Sequence, residues 1–182
     1  MRKFLLASIA CLAPLWAAGD LSNRRAPGFS IPDGQIQQHD IADYRGKVVV
    51  LEFMQTTCPH CEKFSHILED VSRRYLGRVQ VLSVVVPPDT TATVGTFIRR
   101  HAISYPILFD CGQVTSSYMM ASPQRPSFDI PHVFLIDQNG FIRNDFGYSP
   151  LSKEIFEGEG LFAEVDRVLA TGGAPPKSSP KK

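Results

Sequence analysis

The sequence predicts an α/β fold: a central mixed β-sheet flanked by helices, with a β-hairpin extension on its N-terminal side. Two Val-rich runs, at 48–54 and 79–86, are typical of strands buried on both faces. Segments with helical periodicity follow them, and this alternation favours a parallel sheet. Asn139-Gly140, placed between two later apolar runs, indicates an antiparallel hairpin at one edge of the sheet.

The first elements of the domain are short. Residues 20–27 are polar, and we expect them to be flexible. Residues 29–32 indicate an edge strand, and Asp33-Gly34 is a turn signal. Residues 35–40 then form the returning strand, which completes the predicted N-terminal hairpin.

A long helix is predicted after the first buried strand, from Pro59 to about Tyr75. Proline suits the first helical position, where its missing N–H has no consequence. One apolar face repeats at the helical period, and Gly77 provides the stop signal. The apolar face consists of Phe64, Leu68, Val71 and Tyr75.

The rest of the chain continues the alternation of helices and strands. At Asn139-Gly140 we expect a type I′ turn, which requires positive φ at both residues. The predicted elements are a helix at 90–101, a strand at 105–109, a helix at 114–120, a loop at 122–127, strands at 133–136 and 141–146, and a final helix at 161–169.

The length and charge of the chain narrow the classes of function. With 182 residues the chain is long enough for one domain with a substantial core. Its composition is ordinary for a globular protein, and its formal net charge is +1. This balance provides no electrostatic basis for binding nucleic acid or an anionic membrane surface. We therefore expect no nucleic-acid partner.

Residues 1–19 have the layout of a secretory signal peptide. Arg2 and Lys3 precede an apolar stretch at 4–18 that is short for a membrane span and is interrupted by Pro14. We therefore expect an exported, periplasmic protein without a stable membrane span. An N-terminal segment that stays uncleaved and tethers the protein to a membrane is the alternative.

The remainder of the chain divides into a folded domain and a tail. The predicted domain covers residues 20–170. Residues 171–182 are rich in Gly, Pro, Ser and Lys, and they predict a disordered tail.

Cys58-Pro59-His60-Cys61 lies between a buried strand and the start of a helix, the context in which a Cys-x-x-Cys motif indicates redox chemistry. Unpaired N–H groups and the helix dipole at that point favour a thiolate over a thiol. The two-residue spacer lets the two sulfurs meet in a small disulfide ring. Beyond the N-terminal segment, Cys111 is the one further cysteine, so one pair and one spare thiol are present.

Other roles for the motif are weaker. Attachment of a c-type haem requires a histidine directly after the second cysteine, and Glu62 stands there. A zinc site needs four ligands, and the sequence holds no second Cys-x-x-Cys or paired-histidine motif. Zinc completed by Cys111 and a histidine, or an inert structural disulfide, are the alternatives that stay open.

Two further residues are candidates for the site. His60, beside the reactive sulfur, is able to donate a hydrogen bond or a dipole toward a thiolate; a solvent-facing linker residue is the alternative. Glu52 interrupts an apolar run six residues before Cys58. Beneath the second sulfur it would exchange a proton with Cys61, whereas on a strand edge it would pair with a Lys or Arg.

Several motifs in order resemble the TlpA/ResA and AhpC/TSA branch of the thioredoxin superfamily, over about residues 26–170. They are Ala26-Pro27-Gly28-Phe29-Ser30-Ile31-Pro32-Asp33, Asp43-Tyr44-Arg45-Gly46-Lys47-Val48-Val49-Val50-Leu51-Glu52-Phe53, Cys58-Pro59-His60-Cys61, and Ile130-Pro131-His132-Val133-Phe134-Leu135-Ile136-Asp137 with Asn139-Gly140. The resemblance implies a thioredoxin fold and a thiol–disulfide oxidoreductase.

The resemblance also implies roles for individual residues. Cys58 would be the attacking cysteine and Cys61 the resolving one. Pro131 would be a cis-proline beside them, with Ile130 offering its backbone to an extended substrate. Glu52 falls where thioredoxins carry a buried acid. The expected partners are protein thiols or disulfides and a second redox protein that resets the disulfide, and no bound cofactor is needed because the disulfide itself carries two electrons.

Some features depart from this pattern. The tryptophan that often precedes the first cysteine is Thr57 here. Pro59-His60 resembles oxidising Dsb-type proteins, whereas the N-terminal motif resembles reducing TlpA-type proteins, so the direction of electron flow stays open. A peroxiredoxin-type peroxidase and a non-enzymatic protein that binds a metal or an apo-cytochrome are the alternatives. Cys111 is expected to be a small buried apolar side chain, with a peroxiredoxin-like resolving cysteine as its alternative.

Overall fold

A mixed β-sheet forms the centre of the computed structural model, which describes residues 19–172. Its strands are β1 (Arg24–Arg25), β4 (Val48–Met54), β5 (Val79–Val85), β6 (Ile107–Phe109), β7 (His132–Ile136) and β8 (Phe141–Gly147), and a separate hairpin contains β2 (Ser30–Pro32) and β3 (Gln38–Asp40). The helices are α1 (Pro59–Arg74), α2 (Thr91–His101), α3 (Gln113–Met119), α4 (Lys153–Glu157) and α5 (Glu159–Ala170).

The six strands lie in the order β1-β8-β7-β4-β5-β6. β4, β5 and β6 are parallel, while β7, β8 and β1 add antiparallel pairs on the other side of β4. The predicted mixed sheet is therefore confirmed. β4 is the central strand, and all seven of its residues are buried.

The two faces of the sheet carry separate apolar layers. One layer packs α1, α2, α4 and α5 against the sheet, and the apolar face predicted for α1 is buried in it, with Phe64, Leu68 and Val71 fully inaccessible. The other layer contains α3 and the segment before β4, with Tyr118 packed edge-on to Phe134. Alternation of side chains along β4 therefore decides which residues face α1, and Glu52 is on that side, opposite Ser83 of β5.

The segment at 20–27 is not flexible as expected, because part of it forms β1 at the edge of the sheet. Arg24 pairs with Ile142 of β8, and its guanidinium donates to the carbonyl oxygens of Leu21 and Tyr118, at 2.8 and 2.5 Å. The Arg25 guanidinium lies 5.2 Å from the centre of the Phe141 ring. The polar composition of this segment did not indicate an ordered strand, because an arginine side chain is able to donate hydrogen bonds to backbone carbonyl oxygens as well as to water.

The hairpin between β7 and β8 is confirmed, but the predicted type I′ turn is wrong. Gly140 has a positive φ of 76°, whereas Asn139 is not among the residues of positive φ. The Asp137 carboxylate accepts hydrogen bonds from the backbone N–H groups of Asn139 and Phe141, both at 2.9 Å. A side chain that holds both amides stabilises a longer turn with one left-handed residue, and the register shifts by a bulge between Leu135 and Ile136.

The end of the domain differs from expectation in one element. α4 precedes the final helix and was not predicted, and α5 begins at Glu159, two residues earlier than expected. Gly158, with φ of 108°, separates the two helices. Within residues 19–172 no helix has the length and apolar character needed to cross a membrane. Except for Gly19, Thr171 and Gly172, the predicted signal peptide and tail lie outside the described residues.

Candidate functional site

Cys58 is the N-cap of α1, with extended backbone, and Pro59 takes the first helical position as predicted. The Cys58 Sγ accepts a hydrogen bond from the backbone N–H of Cys61, at 3.4 Å. Cys58 is half-buried and Cys61 is fully buried, and both are free thiols. The first sulfur is therefore the accessible one, and the unpaired amides of the helix start stabilise negative charge on it.

Asp89 anchors the loop between β4 and Cys58. Its carboxylate accepts hydrogen bonds from the backbone N–H of Thr56 at 2.8 Å and from the Thr56 hydroxyl. It also accepts from the Thr93 hydroxyl at 2.8 Å, which connects the loop to the start of α2. Gln55 donates to the carbonyl of Pro87 at 2.7 Å. These contacts hold the chain just before Cys58.

The Ile130–Pro131 peptide bond is cis, as the resemblance implies. The Cys58 Sγ lies 4.0 Å from the Ile130 carbonyl oxygen, so the cis-proline loop borders the accessible sulfur. On the other side of the loop, the backbone N–H of Tyr148 donates to the Pro131 carbonyl at 3.1 Å. The structure therefore brings Cys58, Ile130 and Pro131 together.

Glu52 is fully buried on the α1 side of the sheet, not at an edge and not paired with a Lys or Arg. The Ser83 hydroxyl donates to its Oε2 at 2.5 Å, while its Oε1 has no hydrogen-bond partner among the described residues. Burial raises the pKa of Glu52 to about 8, and the bond from Ser83 opposes that rise. The carboxyl therefore gains and loses its proton near neutral pH.

Burial also raises the pKa of the Cys61 thiol well above its ordinary value, and the neighbouring Glu52 carboxyl raises it further. A thiol with so high a pKa becomes a thiolate near neutral pH only when a proton acceptor is close by. Glu52 is a buried carboxyl close enough to interact with it electrostatically. This pairing is the arrangement that the sequence suggested for a Glu52 beneath the second sulfur.

His60 is exposed, and its ring stacks on Tyr148 with 4.0 Å between centroids and 25° between planes. Stacking holds the ring along the surface and is an outcome that the sequence did not predict. Tyr148 thereby contacts both His60 and, through its backbone, Pro131.

Cys111 is exposed, so the expectation of a buried apolar side chain is wrong. It lies between β6 and α3, where its neighbour Asp110 is the buried residue. The Asp110 carboxylate accepts hydrogen bonds from the N–H groups of Val114 and Thr115, at 3.1 and 2.7 Å. Because Asp110 turns inward to hold the start of α3, Cys111 is left on the surface.

A cavity lies beside the motif, and the described residues include no cluster of metal-binding side chains. A cavity of about 370 Å³ between α1 and α2 is lined by Thr56 and Glu62 on one side and Phe97 and Arg100 on the other. Across residues 19–172 there is no group of three His, Cys, Asp or Glu side chains arranged to hold a metal ion.

Three residues of this region were missed from the sequence: Ser83, Asp89 and Tyr148. Ser83 carried the one available signal, as a hydroxyl within the Val-rich run of β5. Asp89 and Tyr148 lie in loops of unremarkable composition, and their contacts with Thr56 and His60 span 33 and 88 sequence positions. Sequence patterns over a few residues do not predict contacts between positions so far apart in the chain.

The model of the AhpC/TSA family matches residues 22–145, which include β4, the motif and the cis-proline. The chain belongs to the AhpC/TSA family. Within it, the chain is 32% identical over 120 residues to the thiol-disulfide oxidoreductase ResA of Geobacillus kaustophilus, a match that covers 65% of this chain and 64% of that relative. The chain thus spans slightly less than two thirds of the curated relatives it matches.

Solved structures support the same fold for this AhpC/TSA member. A thioredoxin-family thiol:disulfide interchange protein of Chlorobium tepidum superposes with a TM-score of 0.65 at 18% identity, covering 83% of this chain and 99% of the other. The protein SMc02350 of Sinorhizobium meliloti gives a TM-score of 0.68 at 20% identity, with coverages of 87% and 88%. The thioredoxin fold implied by the resemblance is therefore confirmed.

Proposed function

We propose that this protein is an exported thiol–disulfide oxidoreductase that reduces or oxidises protein thiols through a reversible disulfide between Cys58 and Cys61. The observation that carries the proposal is the position of the Cys58 sulfur: it caps α1 and lies 4.0 Å from the Ile130 carbonyl, with Cys61 buried one turn on. The ResA relative, a thiol-disulfide oxidoreductase, supports it.

In the reducing direction the first step is attack by the Cys58 thiolate on one sulfur of a substrate disulfide. The S–S bond of the substrate breaks, a Cys58–substrate disulfide forms, and the other substrate sulfur leaves as a thiolate that takes a proton from solvent. Ile130 offers its backbone to the extended substrate chain beside the sulfur. A cavity of about 370 Å³, lined by Thr56 and Glu62, lies next to the motif and provides room for further parts of the substrate.

In the second step Cys61 resolves the mixed disulfide. Its proton passes to Glu52, and the Cys61 thiolate attacks the Cys58 sulfur, so the second substrate sulfur leaves as a thiolate. The substrate gains two electrons, and the protein loses two as Cys58 and Cys61 form a disulfide. The oxidising direction is the reverse sequence, and a second dithiol or disulfide protein resets the pair.

Single-cysteine variants test this proposal. Cys58→Ser should abolish insulin reduction and dithiol oxidation, and Cys61→Ser should accumulate a mixed disulfide with the substrate. Cys111→Ser is the matched control and should keep full activity, because Cys111 is exposed and lies outside the motif. Undiminished turnover in Cys58→Ser would overturn the proposal. Rapid consumption of hydrogen peroxide without disulfide exchange would favour a peroxidase instead.

The direction of electron flow is decided by the reduction potential of the Cys58–Cys61 pair. A potential of about −120 mV would identify an oxidant and one of about −270 mV a reductant. Equilibration with glutathione or dithiothreitol buffers, followed by thiol alkylation and mass measurement, gives this value.

Export rests on the N-terminal sequence pattern of a charged start, an apolar run and small residues at 17–19. We expect a periplasmic fraction in which the mature chain begins near residue 19 or 20. N-terminal sequencing of the fractionated protein tests this, and recovery of the full chain in the cytoplasmic fraction would contradict it.

A further inference from the structure

Ser83 is a polar residue at a buried position where an apolar side chain is expected. It occupies the fifth position of β5, among Val and Leu residues, and is fully buried. A buried hydroxyl without a partner is destabilising, so such a residue is usually explained by the bond it makes. Here its Oγ donates to Glu52 Oε2 at 2.5 Å, and the two residues stand directly opposite each other in the β4–β5 register.

The bond from Ser83 distinguishes the two oxygens of the carboxyl. Oε2 has the hydroxyl as its donor, while Oε1 is buried without a hydrogen-bond partner among residues 19–172. A hydroxyl that donates to a carboxylate at 2.5–2.7 Å makes a strong, charge-assisted bond. The bond therefore favours the charged form of an otherwise desolvated group and keeps its orientation.

We propose that Ser83 is a positioning residue that holds one carboxyl oxygen of Glu52 and leaves the other to exchange a proton with Cys61. This inference rests on the proposed function and adds to it a residue that controls the pH range of the resolving step. The proton moves from the Cys61 sulfur to Oε1, and the electron pair of the S–H bond becomes the lone pair with which Cys61 attacks Cys58.

The other groups around Glu52 are few. From α1, Cys61 is the titratable group on which the Glu52 carboxyl acts, and Cys61 in turn interacts with Cys58. From the segment before β6, the buried Tyr105 hydroxyl makes no hydrogen bond to the carboxyl, but it lies close enough to interact electrostatically with Glu52 and with the Ser83 hydroxyl. β7 places Val133 opposite Glu52 and so contributes no charge. Ser83 is thus the neighbour whose hydrogen bond distinguishes the two protonation states.

Ser83→Ala removes the hydroxyl at little cost in volume, and Ser83→Thr restores it. Ser65→Ala is the matched control, because it removes an equally buried hydroxyl that donates to the Glu62 carbonyl at 2.7 Å and not to the Glu52 carboxyl. The first readout is the titration of the Glu52 side-chain carboxyl in the reduced full chain, followed by carbon NMR. In Ser83→Ala we expect the midpoint to rise by roughly 1–2 pH units, and in Ser65→Ala and Ser83→Thr to stay within about half a unit.

The second readout is the rate of insulin reduction as a function of pH. The part of this profile that depends on the titration of Glu52 should shift by the same amount as the NMR midpoint. In a Glu52→Gln background, Ser83→Ala should shift nothing further. An unmoved Glu52 titration in folded Ser83→Ala, or a shift that persists without Glu52, would overturn the role of Ser83. A shifted titration in a protein that exchanges no disulfides would support the hydrogen bond and count against the proposed function, so the two failures are distinguishable.

Discussion

The rings of His60 and Tyr148 are stacked at 4.0 Å, which joins the middle of the Cys-x-x-Cys motif to the segment after β8. Tyr148 also packs edge-on against Phe156 of α4, with 5.4 Å between ring centroids. The same residue donates its backbone N–H to Pro131. One side chain and its backbone therefore set the arrangement of two loops that border the Cys58 sulfur.

Removing the Tyr148 ring should release His60. In Tyr148→Leu the ring current on His60 is lost, so its ring-proton NMR signals should move toward those of a free histidine. The free energy of unfolding should fall by about 0.5–1.5 kcal/mol for the lost ring pairs. Tyr148→Phe keeps the stack and is the control. Identical His60 signals in the Leu variant and the parent would show that the rings do not stack in solution.

The pKa of Glu52 predicts a specific dependence of stability on pH. The ordinary value of 4.5 applies to the unfolded chain, and the folded value is about 8. Between these values the folded state holds the extra proton, so the free energy of unfolding falls as pH rises from about 4.5 to about 8. The slope from this one group reaches about 1.4 kcal/mol per pH unit, and the contribution is fully present below pH 4.5.

Glu52→Gln should lack this component because an amide does not titrate. Urea unfolding of both reduced proteins at pH 5, 6.5 and 8 measures it, and the other groups cancel in the difference between parent and variant. The advantage of the parent over Glu52→Gln should shrink, or reverse, as pH rises. A difference that stays constant with pH would contradict a raised pKa for the buried carboxyl.

Loss of the Asp89 carboxylate should loosen the loop before Cys58. Asp89→Ala removes the hydrogen bonds to Thr56 and Thr93, and we expect a loss of about 1–3 kcal/mol in the free energy of unfolding. Disulfide exchange should slow by about tenfold, which corresponds to an increase of about 1.4 kcal/mol in the activation free energy when Cys58 is less well positioned.

Asp40→Ala is a matched control for this prediction. Asp40 also accepts a backbone N–H, from Ala42 at 2.8 Å, but at the start of the short 3-10 turn Ile41–Tyr44. Its loss should cost about 1 kcal/mol of stability and leave the exchange rate unchanged. Equal slowing in both variants would indicate that the effect of Asp89 is general destabilisation.

The difference in exposure between Cys111 and Cys61 predicts a difference in alkylation. Brief treatment of the folded, reduced protein with iodoacetamide should modify Cys111 to a greater extent than Cys61, whose side chain is fully buried. Peptide mapping by mass spectrometry measures both sites. In urea the two extents should converge, and a Cys61 modified as fast as Cys111 before unfolding would be inconsistent with its burial.

Much of the fold followed from short-range pattern. The Val-rich run at 48–54 is the fully buried central strand, and the period of Phe64, Leu68 and Val71 correctly identified the inward face of α1. Burial of a residue on a strand or helix depends on alternation or on the 3.6-residue period, and both are visible in sequence. The motif between them was located for the same reason.

Where competing local interactions have similar energies, pattern was insufficient. Asn139-Gly140 is a strong signal for one turn type, yet two hydrogen bonds that the Asp137 carboxylate accepts from backbone N–H groups stabilise another. Cys111 is apolar enough to be buried, yet the inward turn of Asp110 leaves it exposed. In both cases the hydrogen bonds that a carboxylate accepts from backbone N–H groups determined the local structure, and the conformational or burial preference of the neighbouring residue did not.

Residue types and spacing were enough to locate the Cys58–Cys61 pair at a helix start, because that relationship is local along the chain. The surroundings of the pair depended on packing. From the sequence alone, Glu52 was equally compatible with a buried site and with a surface ion pair, and the pairing of β4 with β5 placed Ser83 against it. In the same way, the His60 ring could have been free in solvent, and the segment after β8 placed the Tyr148 ring over it. Such contacts join positions 31 and 88 residues apart, and their energies exist only once the sheet has brought the strands together.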